Sequence, residues 1–464
     1  MIPKRPVDEA DTDSRPYRYH MWDYAHSQAF TQSPAQGLRS NNSRVFYSLE
    51  KDLAALATEA QAKEIPVGLQ TIGNSAQNLD IRALRLGEND TKKVLFTGGV
   101  HGREWIGTEF VYLIAEYLIK NYSADPQTDK QKRLNRLLDR REIWFVPLVN
   151  PDGQLHSVYN QRDWRMNRHA LCHAWGDFPN PPFVPSGGNQ LTYQAPQYEY
   201  LYRLRHPRGR AIRVENNRVY IGVDVNRNFY SPNWGQECYA NDGARSTSCD
   251  PAQEKQTYCG PRPNSESETR SIVDLWANHG PFLTTADYHS YFRAVLYVQD
   301  AQHNPEVRLM MDCFRNLIQN RLLGTDQYTL RNRTVDKNYW QGPHATAEHY
   351  DVGSVKDTVE YDAFNSVTDY TWAQGARPAF TIELDPPKNN RAGFDLPDTD
   401  IQAVFEKNIR SALALIYCAG KPRYRNEPYL VRVGRTIGSA FKTRIGCCET
   451  FKNWDVYAKG NELP

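Results

Sequence analysis

Short apolar runs alternate with helix-like segments along most of this chain, and that alternation constrains the fold more than any other feature. Strands are expected over 81–86, 94–100, 143–149, 220–224, 282–288, 294–298 and 379–384. Leu49, Leu53, Leu56 and Ala57 recur at helical spacing within 46–63, and further helices are expected over 109–120, 130–140, 265–278, 306–322 and 399–418. Alternation of this kind predicts an α/β fold with a mixed, mostly parallel central sheet and helices on both faces. In such sheets ligands gather beyond the carboxyl ends of the strands. His101, Asn226, His289 and Glu383 each stand at, or just past, the end of a strand candidate.

With 464 residues, 40% hydrophobic and 24% charged, the chain has ample material for a large core. A net charge of +2 produces no field that would favour nucleic acid, and there is no apolar stretch long enough to span a membrane. Met1 to Pro6 leads into acidic and Tyr-rich residues, without the apolar segment of a signal peptide. Eight cysteines stand at 172, 238, 249, 259, 313, 418, 447 and 448, with no Cys-x-x-Cys pair to suggest a cysteine-built metal site. Crowding of Cys238, Cys249 and Cys259 in a Gly/Asn/Ser-rich stretch favours disulfides if the protein is exported, whereas a cytosolic chain would keep them as thiols.

His101-Gly102-Arg103-Glu104 follows the run 94–100, so a strand delivers an imidazole and a carboxylate into one small volume. Nitrogen and oxygen donors so placed suit a borderline ion such as Zn²⁺, and the neighbouring glycines let backbone approach it closely. A hydrolytic zinc site needs three protein ligands and one open position, so a third ligand must come from elsewhere. His289, in Asp287-Tyr288-His289-Ser290-Tyr291, is placed to supply it. Glu383, in Phe380-Thr381-Ile382-Glu383-Leu384, is a carboxylate within an apolar strand, where desolvation raises its pKa toward that of a base working near neutral pH. Taken singly, each is more often a core histidine or a strand-end charge than a catalytic group.

Through these residues the chain resembles the zinc carboxypeptidases of the carboxypeptidase A and B type over roughly 46–419. Gly99-Val100-His101-Gly102-Arg103-Glu104-Trp105, Asn150-Pro151-Asp152-Gly153, Arg162-Asp163-Trp164-Arg165 and Gly222-Val223-Asp224-Val225-Asn226-Arg227-Asn228 carry the likeness. Asn264-Ser265-Glu266, His289-Ser290-Tyr291, Tyr361 ahead of Asp369, and Thr381-Ile382-Glu383-Leu384 follow in the family's order. The resemblance implies one zinc ion per chain held by His101, Glu104 and His289, with Asp224 orienting His101 from behind. It further implies that Glu383 is the general base toward a metal-activated water and that Arg165 faces the developing oxyanion. Asn226 and Arg227 would grip the substrate's terminal carboxylate, Arg103 its backbone, and Tyr361 would close over the bound residue.

The activity so implied is removal of the last residue from peptides or proteins with a free carboxyl terminus. The chain is expected to be a monomer without nucleic-acid or membrane partners. Counting from Tyr361, Thr368 falls at the pocket floor, where a small neutral residue favours apolar or aromatic side chains. Counting from His289, Asp300 falls near another wall, where an acid would favour basic ones. A silent binding protein on the same scaffold, and an enzyme for peptidoglycan stem peptides or polyglutamylated tails, are the alternatives.

Residues 1–40 read as an irregular arm, 41–420 as the catalytic domain and 421–464 as a C-terminal extension. Pro, Tyr and Arg crowd 171–218, an insertion within that domain and a candidate lid or wall. Too few residues precede position 46 to fold into the inhibitory pro-segment of the digestive enzymes. An extracellular or secretory location is expected, with the cytoplasm as alternative.

Overall fold

The computed structural model describes residues 46–159, 163–172, 185–186, 190–191, 212–215, 218–231, 256–260, 262–298, 350–359, 363–386, 393–394, 396, 398–419, 425–433 and 436–444. The chain begins with α1 (Phe46–Ala62), β1 (Val67–Asn74), β2 (Asp80–Leu86), β3 (Lys93–Gly98), α2 (Trp105–Asn121), α3 (Asp129–Leu138), β4 (Glu142–Val146) and α4 (Pro151–Tyr159). Five short strands follow: β5 (His169–Cys172), β6 (Pro185–Ser186), β7 (Gln190–Leu191), β8 (Ile212–Glu215) and β9 (Arg218–Ile221). Next come α5 (Ser267–His279), β10 (Thr284–Ser290), β11 (Ala294–Tyr297), β12 (Asp351–Ser354), α6 (Val355–Val359), α7 (Val367–Ala373), β13 (Ala379–Leu384) and α8 (Asp398–Cys418). A hairpin of β14 (Arg425–Val433) and β15 (Thr436–Arg444) closes the series.

Eight strands form the central sheet in the order β1-β2-β4-β3-β10-β13-β11-β12. β4, β3, β10 and β13 run parallel at its centre, while β1 and β2 continue it antiparallel on one side. On the other side β11 is antiparallel to β13 and parallel to β12. This is the expected mixed, mostly parallel α/β sheet.

Side-chain alternation divides the centre of this sheet into two unlike faces. Val94, Phe96, Ile143, Phe145, Ala286, Tyr288, Phe380, Ile382 and Leu384 point into one core, shared with α1, α2, α3 and α8. Leu95, Trp144, Val146 and Ala379 point the other way and pack with Ile272, Leu275 and Trp276 of α5 and Val367 and Tyr370 of α7. The same parity puts Thr97, Asp287, His289, Thr381 and Glu383 on this second face. Their register aligns Asp287 with Thr97 and Thr381, and His289 with Glu383.

Several local expectations give way to stronger physics. Asn150-Pro151-Asp152-Gly153 signals a turn but opens α4: Pro151 takes the first helical position, where its missing N–H costs nothing, and Asn150 Oδ1 accepts from Gly153 N at 2.9 Å. The strand expected at 220–224 is β9, which ends at Ile221 and pairs with β5 and β8 in a separate three-stranded sheet. Asn226 therefore stands in a short 3₁₀ turn, Val225–Arg227, rather than at the end of a main-sheet strand. β1 escapes the apolar-run criterion because it is a half-buried edge strand containing Gln70, Thr71 and Asn74. α7 is short and β-branched, but its capping box of Ser366 and Asp369 is legible afterwards. The helix expected at 306–322 and most of 171–218 lie outside the described residues. Among the described residues no helix is long and apolar enough to cross a membrane.

Candidate metal centre and active site

β3 stops at Gly98, and Gly99, at φ +61°, turns the chain where a Cβ would meet Thr108 Oγ1 at 2.5 Å and Leu148 Cδ1 at 2.7 Å. Gly102 lies so close to α4 that a Cβ there would sit 2.3 Å from the Gly153 carbonyl oxygen. The intervening loop is held by donors: Asn150 Nδ2 to the Val100 carbonyl at 3.1 Å, and Ser157 Oγ and Trp105 Nε1 to the Gly102 carbonyl at 2.6 and 3.0 Å. His101 and Glu104 thus leave a rigid turn between β3 and α2. Glu104 is the N-cap residue of α2, yet its side chain makes no capping bond and turns toward His101 instead.

His101, Glu104 and His289 converge, all buried, with one ligand atom of each within 4.8 Å of the others. Glu104 Oε1 lies 2.8 Å from His101 Nδ1, and Oε2 lies 2.8 Å from His289 Nδ1. The two Nδ1 atoms are 3.0 Å apart. Behind them, His101 Nε2 faces Asp224 Oδ1 at 3.2 Å and His289 Nε2 faces Asp287 Oδ2 at 2.6 Å. In the neutral form that binds a metal, each Nε2 donates to its carboxylate and both Nδ1 atoms turn lone pairs toward an anionic Glu104. Three acceptors facing one another are satisfied by a shared cation, and two imidazoles with one carboxylate are a zinc donor set. The residues fit the ion.

The field of the site follows from its charges. Burial and the neighbouring Arg165 cation lower the His101 pKa, against the opposing pull of Glu104 and Asp224. His289 is the reverse: burial would lower its pKa, but the carboxylates of Asp287 and Glu104 raise it well above the ordinary histidine value. Burial would raise Asp224, yet Arg165, His101 and Arg227 hold it far below the usual carboxylate range. Glu383, half-buried on β13 beside His289, is pushed up to about 7, first by desolvation and then by the negative charge of Glu104.

Around this centre Arg165 Nε donates to Asp224 Oδ2 at 2.8 Å, with Nη1 3.7 Å from Glu104 Oε1. Asn226 N donates to Asp224 Oδ1 at 3.0 Å, and Asn226 Oδ1 accepts from Val367 N at 2.9 Å, tying the 3₁₀ turn to the start of α7. Arg227, buried, donates through Nη1 to the Asn226 carbonyl at 2.8 Å. Thr368, also buried, shares a 2.7 Å hydroxyl–hydroxyl bond with Thr381. Arg103 donates to the Asp163 carbonyl at 3.1 Å, and its guanidinium lies 4.1 Å from the Phe394 ring centroid. Tyr361 and Asp300 lie outside the described residues. Asp287 lies outside the sequence expectations; an Asp two positions before a candidate ligand histidine on one strand is the signal that could have found it. Among the crowded cysteines, Cys259 is a buried thiol and not half of a bridge, its pKa pushed up to about 12 by burial. Cys238 and Cys249 lie outside the described residues.

Known proteins resemble this chain over much of its length. Carboxypeptidase A1 of Rattus norvegicus is 26% identical over 74% of the chain, and the chain spans 63% of that relative's length. A relative named inactive metallocarboxypeptidase ECM14, of Arthroderma otae, is 27% identical over 49% of the chain and 31% of its own length. Among solved structures, the carboxypeptidase A of Helicoverpa armigera superimposes with a TM-score of 0.53 at 20% identity, covering 86% of this chain and 80% of that one, which is a likeness of fold. The zinc carboxypeptidase family matches residues 53–411, and the chain, with its sheet and its His-Glu-His cluster, belongs to that family.

Proposed function

We propose that this protein is a zinc-dependent exopeptidase that hydrolyses the carboxyl-terminal peptide bond of peptides and proteins, its catalytic domain running from about 41 to 420. The convergence of His101, Glu104 and His289 beside the desolvated carboxyl of Glu383 is the observation that carries this reading. When bound, zinc would acidify a water molecule and polarise the scissile carbonyl.

The remaining chemistry belongs to side chains of this chain. Glu383, with a pKa raised toward neutrality, takes the proton of the attacking water on its carboxylate and returns it to the departing amine nitrogen. Arg165, held by Asp224, keeps its guanidinium close to Glu104, where a fixed cation stabilises negative charge that develops on the carbonyl oxygen. Asn226 and Arg227 hold the terminal carboxylate, so an internal peptide bond, which offers no anion, leaves their desolvation uncompensated. Arg103 steadies the substrate backbone, and Tyr361 covers the bound residue. Thr368 and Thr381, neutral and satisfied by one another, favour an apolar or aromatic terminal side chain over a basic one.

Mass spectrometry of a mixed peptide library incubated with the zinc-loaded protein tests the proposal. Single residues should disappear from free carboxyl termini, apolar ones fastest, while peptide amides stay intact. Cleavage at internal bonds would remove the exopeptidase reading, and no cleavage at all would favour a silent scaffold.

A further inference from the structure

His289 has two neighbours competing for its outer nitrogen, and they ask for opposite tautomers. Asp287 Oδ2 lies 2.6 Å from His289 Nε2 and, as an ionised carboxylate, only accepts, which requires a proton on Nε2 and leaves the Nδ1 lone pair facing Glu104. Asn226 Nδ2 lies 3.3 Å from the same Nε2 and only donates, which requires the proton on Nδ1 and closes that atom to any metal. The shorter, charge-assisted bond decides in favour of Asp287.

The fold holds Asp287 to this task. Strand alternation puts it on the same face of β10 as His289, and its register partner Thr97 on β3 donates to Oδ1 at 2.6 Å, fixing the rotation of the carboxylate. Asp287 is 1% exposed, and among the described residues its ion-pair partner is His289 alone. Asp224, the counterpart behind His101, divides its charge between that ring and Arg165. The two ligand histidines therefore have unlike supports, one shared and one dedicated.

We propose that Asp287 is the positioning residue of the second histidine ligand, holding His289 in the tautomer that presents Nδ1 and so setting the affinity of the site for zinc. This inference rests on the zinc-centre reading above. Outer carboxylates of metal-ligating histidines typically alter metal affinity by about 10- to 100-fold. Removing the carboxylate leaves Asn226 as the donor to Nε2, and the resulting Nδ1–H of His289 bonds to Glu104 Oε2, satisfying the cluster without an ion.

Zinc affinity by chelator competition, and the ¹⁵N signals of His289 in the metal-stripped protein, test this on the full chain. Asp287→Ala should weaken zinc binding by about 10- to 100-fold and, at a pH high enough for the His289 ring to be neutral, move its single ring proton from Nε2 to Nδ1. Asp287→Asn, which keeps the shape and offers an oxygen in one of its two amide orientations, should fall between Asp287→Ala and the unaltered chain. Thermal unfolding of the metal-stripped proteins identifies a variant that does not fold, and Asp287→Asn then carries the test. Unchanged zinc affinity and an unmoved tautomer in the folded variants would overturn the inference while leaving the zinc centre intact. Failure of the unaltered chain to bind zinc would instead remove the functional reading and this inference with it.

Discussion

The two faces of the central sheet are made from the same strands and do opposite work. On the face toward α1, α2 and α8, Phe96, Tyr288, Ile382 and Leu384 stack without a break to the strand ends. On the other, the apolar stretch of Leu95, Trp144 and Ala379 gives way within one or two residues to Thr97, Asp287, His289, Thr381 and Glu383. A one-residue parity along β3, β10 and β13 therefore separates stability from chemistry. Thr97, Asp287 and His289 are buried in one chain of hydrogen bonds, Thr381 is satisfied by Thr368, and Glu383 stands half-buried beside them.

That division is best broken by changes confined to one face. The largest expected effect is on the dry side: Phe96→Ala, which empties a site between Phe145 and Tyr288, should cost about 3–5 kcal/mol in denaturant unfolding. Zinc affinity should stay near normal in that variant, and a large loss would show that the faces are mechanically coupled. On the wet side, Glu383→Gln should retain zinc and near-normal stability but lose at least a hundredfold in turnover, about 2.7 kcal/mol of barrier. Near-normal turnover would eliminate the proposed base.

Arg227→Ala should lower kcat/KM for free-carboxylate peptides by roughly tenfold to a hundredfold, about 1.4–2.7 kcal/mol, with little effect on their poorly cleaved amides. Equal damage to both would remove the clamp. A pH–rate profile sharpens the contrast further. Glu383 acts in its ionised form and is pushed up to about 7, so kcat/KM should fall as pH drops through that value, and a bound dication should move the midpoint lower. An acid limb persisting unchanged in the residual activity of Glu383→Gln would assign the titration to another group. The smallest effect, about 1 kcal/mol in unfolding, is expected from Ser366→Ala, which removes the cap of α7 beneath Thr368. A cost below a few tenths would mean that tertiary contacts alone hold that helix.

The ends of the buried strands were legible because His101, Glu104, His289 and Glu383 interrupt apolar runs, where a charge needs a reason. Asp287 belongs to the same run as His289, yet its role depends on Thr97, which reaches it only through the parallel pairing of β3 with β10. Asn226 was singled out, but its lock on α7 joins Val367 across 141 positions of chain, a contact no local pattern announces. The edge strand β1 and the short α7 were missed for one reason: their stability comes from packing against the sheet and α5, and not from an apolar pattern of their own. The Asn-Pro-Asp-Gly turn misled because a proline at a helix start and a proline in a turn look alike in isolation.

Asn150 carries a chemical consequence beyond its geometry. Its amide bridges the loop of His101 to the first turn of α4, so conversion to aspartate would replace the donor facing the Val100 carbonyl with a negative charge. Asparagines age that way when the nitrogen of the next residue attacks the side chain to close a succinimide ring. Here the next residue is Pro151, whose nitrogen has no hydrogen to give up, so the amide that steadies the loop of His101 is shielded from that slow decay by its own neighbour.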